Sequence, residues 1–169
     1  MTGAEHGGRP GSLSPRERID RSRSRAWALE TLYRWESEDG DRSPVETLLE
    51  VVKTRNLAAR RQPRVRLLLA TVRDNLAAID AELTAVTRNW RIDRLSRIDR
   101  SVLRIGAAEL LFLDDVPPPV AIQESVRLAS RYGGNESAGF VNGVLDALHR
   151  RNVAREGKDA PGAPGTGES

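Results

Sequence analysis

Arg21, Arg23 and Arg25, spaced by two in the run RSRSR, are the residues of this chain whose type and spacing best suit a chemical task, and that task is holding phosphate. A guanidinium offers a phosphate two parallel N–H donors and stacks flat on a base, which a lysine ammonium does not do. At about 100° per residue the three cannot share one side of a helix. They fan around its N-terminal turns, where the helix dipole disfavours cations unless an anion is bound. Spacing leaves two readings open, a phosphate-contacting arm or a solvated first turn. Catalysis has no comparable set. The chain contains no cysteine, which removes a thiol nucleophile, a disulfide framework and cysteine-ligated zinc. Its two histidines, His6 and His149, lie in a polar tail and near a helix end, without metal-ligand spacing. No Gly-rich phosphate loop, Ser/His/Asp set or carboxylate cluster in an apolar context occurs. Asn142 and Asp146 share a helix side and read as a cap or interhelical hydrogen bond, with Gly143 allowing close helix packing. The expectation is no enzyme, no cofactor and no metal.

Binding of single-stranded nucleic acid needs stacking surfaces as well as cations. Aromatics make up only 4% of the chain, so Tyr33, Tyr132 and Phe140 matter to that task if they are exposed and say nothing about it if they are core. Net charge is +3, and the basic residues are almost all arginine, with Lys53 and Lys158 the two exceptions. No run of 18 apolar residues exists and no hydrophobic segment follows the N-terminus, so a soluble cytoplasmic protein is expected.

The elements that must position these residues are all helical. Ser14, Pro15 and Glu17 open a first helix whose apolar face is Ala28, Leu32 and Trp35. After the acidic loop at Ser37 to Asp41, Ser43, Pro44 and Glu46 repeat that start, with Val45, Leu48, Leu49 and Val52 as the apolar face. Arg55 to Arg64, containing Arg60, Arg61 and Pro63, is a basic connector. Leu68, Leu69, Val72, Leu76, Ile79, Leu83 and Val86 then recur in steps of three and four, predicting one long helix from Val65 to near Trp90. A further helix from about Arg94 carries Leu95, Ile98, Val102, Ile105 and Leu110 on one side and Arg97, Asp99, Arg100 and Arg104 on the others. Asp99 reads either as an intrahelical partner of Arg100 or Arg104 or as part of a partner surface. Gly106 weakens this helix unless close packing wants a small residue.

Val116 to Arg150 reads as two short helices meeting at one turn. Pro119 suits a first helical turn, Ile122, Val126 and Ala129 follow on one face, and Gly133 and Gly134 stop the helix. Ser137 is the expected N-cap of the last helix, whose stripe is Phe140, Val141, Val144, Leu145 and Leu148. Residues 1–13 and 153–169 read as disordered tails rich in Gly, Pro and charge around a domain at 14–152. No strand alternation or internal repeat is present, so the class is an all-α helical bundle.

RLSRIDRSVLRIGAAELLFLDDVP, followed by AIQESVRLASRYG and FVNGVLD, resembles the NusB family of bacterial transcription antitermination factors. The resemblance covers about Arg21 to Arg150 and rests on Arg94, Leu95, Asp99, Arg100, Leu103, Arg104, Glu109, Leu110, Val116, Pro117, Ala121, Ile122, Glu124, Leu128, Ala129, Tyr132 and Phe140 to Asp146. Gln123, Ser125, Arg127 and Ser130 depart from the pattern. The resemblance implies two packed three-helix bundles, divided at about Trp90. It also implies binding to the boxA element of ribosomal RNA leader transcripts, together with the ribosomal protein NusE, in an RNA polymerase antitermination complex. RNA-facing residues by position are Arg21, Arg23, Arg25, Tyr33, Glu136 and Phe140, with Tyr132 as a further stacking surface at the same turn. Gly139 stands where some members have a basic residue and removes one phosphate contact. The resemblance implies that Asp99 faces NusE, and since Arg97, Asp99, Arg100 and Arg104 put both signs of charge on one helix, Asp99, Arg100 and Arg104 are the expected partner-binding residues. Two other readings stand beside this one: a stand-alone homodimeric RNA-binding adaptor, and a module related to the N-terminal domain of ribosomal RNA cytosine methyltransferases, whose cofactor domain and cysteines this chain lacks.

Overall fold

The computed structural model describes residues 12–38 and 41–159. Most of each tail expected from the sequence, residues 1–11 and 160–169, lies outside them. The first two helices start as their local chemistry dictates. Helix α1 (Pro15–Ser37) and helix α2 (Pro44–Thr54) each open on a capping box, Ser14 with Glu17 and Ser43 with Glu46, and each has proline in its first turn.

The long helix predicted from Val65 is two. Helix α3 (Gln62–Asp74) ends at Asn75, whose backbone leaves helical geometry at φ −121° and ψ 18°, and helix α4 (Leu76–Val86) follows at once. The side-chain amide of Asn75 donates to the Thr71 carbonyl at 2.8 Å, in competition with the backbone ladder. Helix α5 (Arg97–Phe112) starts three residues later than expected, because Ile92–Arg94 forms a 3-10 turn and Ser96 caps the Asp99 N–H at 3.1 Å. Helix α6 (Pro118–Tyr132) and helix α7 (Ser137–Asp159) form the expected hairpin. Ser137 does not cap α7 as predicted; its hydroxyl accepts the Gly134 N–H at 3.0 Å and ties the turn together. Helix α7 also continues through residues 153–159, which the sequence assigned to a tail. Arg151 and Arg155 reach Glu82 on α4 at 3.2 and 2.5 Å and hold that extension down.

Helices α1, α2 and α3 pack on one another, α6 packs on α7, and α5 stands between the groups, touching α1, α3, α4, α6 and α7. That position explains why every α5 residue from Ser101 to Glu109 is buried. Helix α4 packs on α5 and α7, so the change from one group to the other falls at Asn75 rather than at Trp90, and one hydrophobic cluster runs through both.

Candidate nucleic-acid and partner interface

The arginine run divides as its spacing requires. Arg25 turns toward α5, Arg21 toward the connection after it, and Arg23 points to solvent. Arg21 donates to the Asp115 carboxylate at 2.8 Å and to its carbonyl at 3.2 Å, keeping a side chain 22% exposed. Arg25 is 2% exposed. Its Nε lies 2.9 Å from both carboxylate oxygens of Glu109, which is itself fully buried. Assignment of Arg25 to RNA is therefore corrected: its buried guanidinium is turned inward to neutralise an acid inside the protein. Around this pair lie Arg64, 3.5 Å from Glu109 and 2.8 Å from Asp115, and Glu124 of α6, 3.9 Å from Arg25. The basic connector joins the same surface, Arg60 and Arg61 both holding Asp20 at 3.0 and 2.8 Å.

Burial pulls the Asp115 carboxyl upward, but Arg64 and Arg21 override it and hold the group below the ordinary aspartate value of 3.8. Hydrogen bonds from Arg60 and then Arg61 lower Asp20 in the same way. A depressed folded-state pKa gives stability that is present above the unfolded value and lost as pH falls through the folded one. The melting temperature is therefore expected to be nearly flat from about pH 7 to 5 and to fall below about pH 4, with a shallower acid limb in Asp115→Asn. Thermal melts at stepped pH measure this.

The aromatic half of the expected RNA site sits elsewhere. Tyr132 is 45% exposed with the Arg131 guanidinium 5.4 Å from its ring centroid, and Glu136 is exposed in the turn before α7. Phe140 is half-buried against the core, with its ring set edge-to-face on Trp90, centroids 5.9 Å apart and planes at 67°. Trp90 escaped the sequence reading because it belongs to no apolar stripe. Tyr33 is 42% exposed on the C-terminal part of α1. The whole of α6, 15 residues or roughly 22 Å, lies between Asp115, which Arg21 holds, and the turn that precedes Phe140. Arg21 and the aromatic turn thus lie at opposite ends of α6.

Of the three residues expected to meet a protein partner, two are used within the chain. Arg100 donates to Glu36 at 3.1 and 2.6 Å and to the carbonyls of Ile92 and Leu95, while Arg104 bridges Glu36 and Asp80 and is only 9% exposed. Within the chain both serve as struts between α1, α4 and α5. Neither pairs with Asp99, so the intrahelical alternative falls. Asp99 is half-buried, has no ion pair among the described residues, and keeps one carboxylate oxygen buried without a hydrogen bond. Asn142 and Asp146 form no interhelical bond among the described residues: Asn142 is exposed, and Asp146 pairs with Arg150 at 3.1 Å along its own helix.

Exposed Arg23, Tyr33 and Tyr132 stand on an all-α frame. A family model described as the NusB family matches residues 22–150, and the chain belongs to that family. It is 34% identical over 131 residues to the transcription antitermination protein NusB of Desulfosudis oleivorans, covering 77% of this chain and 85% of that protein. With the NusB protein of Sorangium cellulosum it shares 47% identity over 88 residues, 52% of this chain and 62% of that one. Among solved structures, T. maritima NusB matches with a TM-score of 0.73 at 32% identity over 80% of this chain and 94% of that chain. A chain from the crystal structure of antitermination factors NusB and NusE in complex with dsRNA matches with a TM-score of 0.70 at 30% identity, over 79% and 98%. No helix among the described residues is long and apolar enough to cross a membrane.

Proposed function

We propose that this chain is an RNA-binding transcription antitermination factor that takes the boxA element of ribosomal RNA leader transcripts together with the ribosomal protein NusE, and so promotes processive transcription of ribosomal RNA by RNA polymerase. The observation that carries the reading is the polar turn between α6 and α7, where Tyr132 and Glu136 are exposed and Phe140 is half-buried beside them, within the family-matched region. There a splayed base stacks on the Phe140 ring while the Glu136 carboxylate accepts from an exocyclic amine. Arg23 and the exposed part of Arg21 hold phosphates further along the strand, and Arg25 acts on them only by fixing α1. Asp99 faces the basic surface of NusE, and its lack of an internal cation supports that role.

The test is a sizing-column run of the protein with NusE from the same organism, with and without a boxA RNA, followed by titration calorimetry on Asp99→Arg. A heterodimer that RNA tightens is expected, and charge reversal should weaken it about tenfold or more while RNA binding by the isolated protein persists. A homodimer that NusE and RNA leave unchanged would favour the stand-alone adaptor, and unaltered affinity of Asp99→Arg would place the interface elsewhere.

A further inference from the structure

We propose that the connector between α4 and α5, residues 87–96, is a second RNA-contacting element: Trp90 stacks a base beside the one on Phe140, and Arg88, Arg91 and Arg94 hold the flanking phosphates. This rests on the RNA-binding reading above and adds residues that the reading does not use. Trp90 is 60% exposed, the largest exposure among the described large apolar side chains. A bare indole is expensive in water, because an aromatic of that size has 150–250 Å² to bury. Its exposure is built in, since buried residues fix the chain on both sides of it. Thr87 is buried and its hydroxyl donates to the Leu83 carbonyl at 2.9 Å, the Trp90 N–H donates to the Thr87 carbonyl at 3.1 Å, and Ile92 is only 8% exposed. The edge contact with Phe140 then sets the two rings at 67°, which leaves indole surface free for a second base.

The charges of the segment TRNWRIDR interleave with this ring. Arg88 and Arg94 are exposed and have no ion-pair partner among the described residues. Arg91 pairs only with its neighbour Asp93, both side chains being more than 60% exposed, and such a pair contributes little. A strand whose bases occupy Phe140 and Trp90 needs phosphate contacts close by. Arg21 cannot supply them from beyond the length of α6, whereas the connector brings its cations in on the same backbone as Trp90.

The experiment follows anisotropy of a labelled single-stranded RNA of roughly 12 nucleotides against the whole chain. Trp90→Ala and Trp90→Leu should each weaken binding about 5- to 100-fold, whereas Trp90→Phe keeps most of it because a ring face remains. Arg88→Ala with Arg94→Ala should lower the slope of log K against log salt by about 1.4. RNA should quench the tryptophan emission, and that quench should vanish in Trp90→Phe. If Phe140→Ala weakens RNA binding and Trp90→Ala does not, the connector proposal fails while the RNA reading stands. If Trp90→Leu matches Trp90→Phe, ring stacking is refuted. Loss of NusE binding with RNA affinity intact would make this a protein-docking face and overturn the proposal, and a wild-type chain that binds no RNA removes both readings.

Discussion

Glu109→Ala should lose about 3–5 kcal/mol of folding stability, because it breaks a buried ion pair by removing one partner and leaves the other charged. Arg25 has a side chain 3% exposed and its Nη2 already lacks a hydrogen-bond partner, so without Glu109 its charge has only Glu124, 3.9 Å away, to answer it. Arg64, 3.5 Å from Glu109, loses a neighbour at the same moment. For a domain of this size the melting temperature should fall by roughly 10 °C or more. The contrast that isolates charge is the double variant Arg25→Met with Glu109→Leu, expected near wild-type stability because well-packed apolar residues often replace a buried pair at no loss. Urea titrations of the single and double variants measure both. A single variant within about 1 kcal/mol of wild type would show that water reaches the guanidinium.

Gly106→Val should be nearly as damaging, for a steric reason. A Cβ at Gly106 would lie 2.6 Å from the Leu145 Cδ1 and 2.6 Å from the Ser125 Oγ, so α5 meets α6 and α7 closely there and both side chains must shift to admit even one carbon. Alanine would gain about 1 kcal/mol in helix propensity and spend it displacing both neighbours, and valine adds two methyl groups to the same clash, for a loss of about 1–3 kcal/mol or more. Gly139 and Gly143 are the controls. An added Cβ at either meets nothing within 4 Å, so Gly139→Ala and Gly143→Ala should stabilise the isolated protein by up to about 1 kcal/mol. Denaturant midpoints for the four variants check the ranking. The result also corrects the sequence reading, which placed close helix packing at Gly143.

Those two sites show which parts of the molecule its sequence discloses. Ser14 with Glu17 and Ser43 with Glu46 were legible because a cap is a contact across three residues. The all-α class was legible because every apolar stripe steps by three and four. Asn75 was not, since Val72, Leu76 and Ile79 carry the helical period straight across the break and only a side-chain hydrogen bond marks it. Arg25 looked like its neighbours Arg21 and Arg23 because its partner is 84 residues away. The struts made by Arg100 and Arg104 were hidden for the same reason, their acids being on α1 and α4. The end of α7 lacks an apolar stripe altogether and is held by Glu82, 69 residues before Arg151. Phe140 lies near the turn as expected but is half-buried against the core, and its companion Trp90 depends on a fold contact that no local pattern announces.

The central place of α5 also sets an order of events during synthesis. The first three helices emerge from the ribosome before the surface that most of them dock on exists. Arg25 must wait 84 residues for Glu109, which at about 5–20 residues per second is about 4–17 s. During that interval Arg25 lacks Glu109, and α1, α2 and α3 have only one another to cover their apolar stripes. The nascent chain therefore locks only when α5 arrives, and α1 acquires its final orientation, together with the direction in which Arg23 points, in one late step.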